Sequence, residues 1–173
     1  ITADLDMDIP NMKFTFKDND IKVNQLERGL DGWVAMPHDD IDMDLKWNMK
    51  KNDIGALLSL VPAQFASDMK GVDMSGKAAF SGYVKGTYNE KTMPGFGVNI
   101  NVDNGRFKYP DLPASVDGIF VDCTIQSPQG KDLDGMTVDL KRFAMKMAGN
   151  PVEARMHLST PISDPVVNAA LES

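Results

Sequence analysis

Hydrophobic and polar residues alternate along most of this chain. In Ile41-Asp42-Met43-Asp44-Leu45-Lys46-Trp47-Asn48-Met49 every odd position is apolar and every even position polar. Side chains on a β-strand point to opposite faces in turn, so such a run has one oily face and one wet face. The pattern returns in Phe96-Gly97-Val98-Asn99-Ile100-Asn101-Val102. It returns again in Ile119, Val121, Cys123 and Ile125, and in Val152, Ala154, Met156 and Leu158. Weaker versions are Leu5-Met7-Ile9, Met12-Phe14-Phe16 and Val138-Leu140. After Leu140 the apolar parity changes to Phe143-Met145-Met147, which predicts a bulge or a new strand.

Turn signals separate these runs. Pro94-Gly95, Tyr109-Pro110, Leu112-Pro113, Ser127-Pro128 and Asn150-Pro151 all punctuate the chain. Asp103-Asn104-Gly105 favours the positive φ values of a tight turn and predicts one hairpin over residues 96–109. One segment departs from the rhythm: Asp53 can cap a helix carrying Ile54, Leu57, Leu58, Val61 and Phe65 on one stripe, with a kink or break at Pro62. The expected fold is a single domain over residues 1–173, mainly β and α+β at the margin. It is a curved antiparallel meander of about nine or ten strands with one short helical segment near residues 53–67. The oily face of such a sheet must be covered. A sandwich or barrel would cover it with the sheet itself; an open trough or half-barrel, the arrangement expected here, leaves an apolar lining. The 12 methionines suit either arrangement, since the flexible thioether fills cores and adaptable surfaces alike.

Charge narrows the choice of partner. The net charge of −7 repels phosphate backbones, so nucleic acid is not an expected partner. Any lipid contact must come from apolar surface rather than a basic patch. The single cysteine, Cys123, excludes an intrachain disulfide framework. No apolar run approaches the roughly 18–20 residues of a spanning helix. The chain opens on Ile1-Thr2-Ala3 and reads as an excised or processed piece of a larger protein.

Chemistry-bearing patterns fail at named positions. Gly71-Val72-Asp73-Met74-Ser75-Gly76-Lys77 nearly matches a phosphate-binding loop. Ala78 stands where a magnesium-binding hydroxyl is needed, and a strand rather than a helix follows. The triple aspartates at Asp4, Asp6 and Asp8 and at Asp40, Asp42 and Asp44 resemble calcium loops. Ile9 or Leu45 replaces the required glycine, and Thr15 or Lys51 the terminal glutamate. These aspartates read instead as the solvent face of strands, where charge opposes edge-to-edge association. His38 and His157 lie far apart and form no zinc pattern with Cys123, which has the parity of its apolar neighbours and reads as buried and inert. No serine sits in a nucleophile elbow. The expected function is non-enzymatic, with no catalytic residue, metal or cofactor.

Several segments taken in order are nevertheless familiar. They are Leu30-Asp31-Gly32-Trp33-Val34-Ala35-Met36-Pro37, Leu57-Leu58-Ser59-Leu60-Val61-Pro62, Gly82-Tyr83-Val84-Lys85-Gly86 and Met93-Pro94-Gly95-Phe96. They continue with Asn104-Gly105-Arg106-Phe107-Lys108-Tyr109-Pro110-Asp111-Leu112-Pro113 and Thr160-Pro161-Ile162-Ser163-Asp164-Pro165. Over about residues 20–168 the chain resembles the AsmA-like family of Gram-negative envelope proteins, especially its Bacteroidetes members. The resemblance implies a periplasmic β-rich portion of a protein held at the inner membrane by an anchor outside this sequence. It also implies a role in outer-membrane assembly or inter-membrane phospholipid transport, with phospholipid or another envelope lipid and envelope proteins as partners. On that reading the lipid-facing residues are the inward ones of the best strands: Met43, Leu45, Trp47, Phe96, Val98, Ile100, Val102, Val121 and Ile125. The competing expectation is a structural module of an envelope assembly that pairs with protein through its sheet edges.

Overall fold

Alternation at period two produces strands throughout. A computed structural model describes residues 4–23, 26–36, 38–54, 71–110 and 114–173. The strands are β1 (Asp4–Asp8), β2 (Lys13–Val23), β3 (Leu26–Ala35), β4 (Ile41–Asp53), β5 (Asp73–Tyr88), β6 (Gly95–Lys108), β7 (Val116–Ser127), β8 (Thr137–Met147), β9 (Asn150–Ser159) and β10 (Val166–Glu172). They form one ten-stranded sheet in chain order, each strand antiparallel to the next. The sheet does not close, so β1 and β10 are its two edges.

Two details differ from the expectation. Asn104-Gly105 does not turn the chain, because β6 runs unbroken from Gly95 to Lys108 between β5 and β7. Only Asn104 takes a positive φ, of 50°, where a type I′ turn needs two such residues. The pair forms a bulge instead, packed against Gly76 on β5. Asp53, expected to cap a helix, ends β4 opposite Lys77. Most of the helical stripe expected near 53–67 falls in residues 55–70, outside the described residues. The parity change after Leu140 is a bulge within β8, where the register to β9 shifts between Leu140 and Phe143.

Bulges bend and twist the strands that carry them. Several gather at one end of the central strands: after Met49 on β4, at Gly76 on β5, near Gly105 on β6 and around Gly118 on β7.

This sheet has little of a conventional core. Among the described residues Ala78, 9 % exposed, and Pro94 are the aliphatic side chains that are buried; the remaining apolar side chains are half-buried or exposed. The chain exposes 11186 Å² to solvent. A compact monomer of this mass exposes roughly 8,400 Å². The excess, about a third, is what a single-layer sheet with an uncovered face produces.

Connections are clasped by polar groups. Asp134, in the β7–β8 loop, accepts the Ser163 hydroxyl at 2.7 Å and the backbone N–H groups of Ser163 and Ile162 at 2.9 and 3.2 Å. The Ser163 hydroxyl first, then these amides, hold its carboxyl below the ordinary value of 3.8. A carboxyl depressed in the folded state contributes stability above its unfolded value, and the contribution is lost as pH falls through the folded value. Asp134→Asn is therefore expected to be less stable than the parent at pH 7, with the gap closing in acid. Urea melts at neutral pH and near pH 3 check this, and a gap independent of pH would show that the carboxylate charge contributes nothing.

Candidate functional site: one apolar face across the sheet

In an antiparallel pair, residues directly opposite share a face. Following the pairs from strand to strand therefore traces each face. One row runs Leu30, Trp47, Gly82, Val98, Ile125, Val138, Leu158, Val167. The next runs Met49, Phe80, Ile100, Cys123, Leu140, Met156, Ala169. A third runs Ala78, Val102, Val121, Phe143, Ala154, Leu171. On the other side of the first row lie Phe16, Gly32, Leu45, Val84 and Phe96, ending at the buried Ser127. Met7, Phe14, Val34, Met43 and Gly86 complete the series.

The register thus brings all nine side chains singled out from the sequence onto one face. Met43, Leu45 and Trp47 lie on β4, Phe96, Val98, Ile100 and Val102 on β6, and Val121 and Ile125 on β7. All nine are half-buried or better covered. With strands about 4.8 Å apart, ten of them make an apolar track about 43 Å long. At its bulged end the face sinks into a concavity of about 460 Å³. Its walls include Met49, Met74, Phe80, Ile100, Val102 and Ile119. Arg106 stands at this site and pairs with Asp117 at 3.1 Å and Asp73 at 3.5 Å.

Within the face, Trp47 lies across Gly82 and stacks on Phe80 with ring centroids 6.0 Å apart. Its Nε1 is buried and has no hydrogen-bond partner among the described residues. Cys123 sits between Ile100 and Leu140 and is half-buried rather than fully enclosed. Burial, then the nearby charges of Asp122 and Asp139, pushes its thiol pKa up and suppresses the reactive thiolate.

The opposite face is polar. Asp44 pairs with Lys85 at 2.7 Å, and Asp42 accepts the Thr87 hydroxyl at 2.6 Å. A polar row runs Ser81, Asn99, Thr124, Asp139, His157, Asn168, and within it His157 meets Asp139 at 2.5 Å. The aspartates of β4 are thus strand-face residues, and no three potential ligands converge as a metal site among the described residues.

The nine residues were findable because their strands alternate cleanly. The glycines on which neighbouring side chains lie, and the contribution of Phe80 and Met74, were not. β5 mixes Gly76, Gly82 and Gly86 into its apolar parity and carries only a faint signal. Compared with known proteins, the chain matches no family model, no curated protein and no solved structure.

Proposed function

We propose that this chain is a non-enzymatic, periplasmic AsmA-like β domain. It aids outer-membrane assembly or phospholipid transport between membranes by holding acyl chains against its apolar face. The observation that carries this reading is the continuity of that face through all ten strands, with a concavity among its side chains. A sliding acyl chain needs an unbroken apolar floor and no discrete headgroup pocket. Each methylene removed from water contributes about 0.8 kcal/mol, so a chain of ordinary length is retained by the floor alone. The motif order in the sequence supports the family and the envelope location.

Lipid extracted from the purified chain and measured by mass spectrometry tests the proposal. The parent is expected to carry phospholipid. Ile100→Asp places a carboxylate in the middle of the floor, where covering it with hydrocarbon is costly, and should lower bound lipid about tenfold or more. Asn101→Asp puts the same charge on the wet face and should leave lipid content unchanged. Equal lipid in the parent and in an Ile100→Asp variant whose circular dichroism is intact would refute the proposal.

A further inference from the structure

The wet face is not charged throughout. On the central strands β5, β6 and β7 it has two adjacent rows without a charged side chain: Ser81, Asn99 and Thr124 form one, and Tyr83, Gly97 and Gln126 the other. Charge begins around them, at Lys46, Lys85, Asp122 and Asp139. In the middle Tyr83 lies across Gly97, where an added Cβ would stand 2.4 Å from Cε1 of the ring. Gly97 has no positive φ, so its backbone does not demand glycine; the ring above it does. Trp33 and Phe120 also project from this face, and each ring is covered by a cation: Lys13 lies 4.6 Å from one centroid and Arg142 5.1 Å from the other. Tyr83 is 42 % exposed, and among the described residues no cation or second ring covers it. Its hydroxyl and the side chains of Ser81 and Gln126 also have no hydrogen-bond partner among the described residues. The Thr124 hydroxyl donates to Asn99 Oδ1 at 3.1 Å, which leaves Asn99 Nδ2 available to donate.

Side-chain amides and hydroxyls both donate and accept, whereas carboxylates only accept and ammonium or guanidinium groups only donate. Sugar hydroxyls also do both. A patch without charge gives no Coulombic advantage to an anion or a cation, so it suits a neutral ligand. A bare ring lying along the sheet suits the C–H face of a sugar, which is apolar while its rim is hydroxylated. A β-1,4-linked chain is extended and ribbon-like, so successive sugars lie along a sheet face, whereas an α-1,4-linked chain coils away from it. We propose that Tyr83 is the platform of a glycan site on the wet face, which binds an uncharged β-1,4-linked oligosaccharide. One sugar stacks on the ring, and its neighbours hydrogen-bond to Ser81, Asn99, Thr124 and Gln126. The site uses the opposite side of the strands that carry the apolar track, and it stands independently of what that track holds.

Chitohexaose and cellohexaose serve as uncharged β-1,4-linked probes, with α-1,4-linked maltohexaose as the control. In NMR titrations of the purified chain at least one of the two β-linked probes should bind. It should shift the Tyr83 ring protons and leave the Trp47 indole N–H, on the other face, in place. Affinity should not change with added sodium chloride, because no ion pair contributes. Tyr83→Ala should weaken binding at least about tenfold, and Tyr83→Phe, which keeps the ring, should stay within about threefold of the parent. Asn99→Asp keeps the side chain's shape but replaces its donor by an acceptor, and should weaken binding about threefold or more. A parent that binds neither β-linked probe overturns the proposal. So does equal binding of maltohexaose, or a Tyr83→Ala chain with intact circular dichroism that binds like the parent. Self-association lost in Tyr83→Ala, with no glycan bound by the parent, would also overturn it and make this face an interface between copies.

Discussion

Replacing Gly32 by alanine is expected to destabilise the sheet by about 3 kcal/mol or more, a larger effect than most core truncations would have in a protein with so little core. Gly32 lies on β3 with φ at +123°, a region that disfavours residues carrying a Cβ. A Cβ added there would stand 1.8 Å from the carbonyl oxygen of Asp44 and 2.9 Å from the Cα of Leu45. Both are backbone atoms of β4, so no side-chain rotation relieves the clash. The strands must part, and with them the pairs Gly32–Leu45 and Trp33–Asp44 that join β1, β2 and β3 to the rest of the sheet. Gly29, three residues earlier on the same strand, provides the control. A Cβ there meets its nearest neighbour, the Asn48 carbonyl oxygen, at 3.8 Å. Gly29→Ala should therefore change stability by less than about 1 kcal/mol and could raise it, since alanine loses less conformational freedom in a strand. Urea midpoints of the two variants give the comparison, and amide exchange should show the Gly32→Ala opening to be centred on β3 and β4. Similar midpoints for the two variants would mean that the close approach of β3 to β4 is not a stability determinant.

The contrast between these glycines marks the limit of what could be read from the sequence. The alternation in Ile41–Met49 survives into the structure because a sheet with unlike faces imposes period two on every strand. From it, and from the like alternation on β6 and β7, the nine apolar positions and the solvent role of Asp42 and Asp44 followed directly. Asn104-Gly105 misled because the same dipeptide serves a turn or a bulge. The choice between them is made by strands on both sides, which no local pattern contains. Sandwich and open trough also share one alternation pattern, so only the pairing of all ten strands in chain order separates them. β10 was missed because Val166-Val167 and Ala169-Ala170 blur its alternation, and because alanine contributes little to any hydrophobic pattern. The continuity of the apolar face depends on register. At Leu140 to Phe143, for example, a bulge restores to the face residues whose numbers have changed parity.

Trp47 is where register, packing and polarity meet, and a double-mutant cycle with Gly82 is expected to show it. The indole lies against Gly82, where an added Cβ would stand 2.4 Å from Cζ2 of the ring and 2.4 Å from the Gly97 carbonyl oxygen. Trp47→Ala removes the ring and its stacking on Phe80. For a half-buried tryptophan the expected cost is about 2–4 kcal/mol, toward the lower part of the range for aromatic truncation. Gly82→Ala alone should cost about 2 kcal/mol by overpacking. In the double variant the ring is no longer in the way, so the second cost should fall by about 1 kcal/mol. It should not vanish, because the Gly97 carbonyl still opposes the new methyl group. Strict additivity in denaturant unfolding would mean that the ring moves freely aside and that Gly82 is required only by the backbone of β6. Trp47→Phe gives the complementary result. It shortens the ring, but it also removes a buried N–H that has no partner among the described residues, a group whose desolvation costs about 1–3 kcal/mol. The two effects oppose, and the variant is expected within about 1 kcal/mol of the parent, whereas Trp47→Ala is not. A tryptophan kept on this face despite an unsatisfied N–H is thus held by the area its ring covers over Gly82 and Phe80.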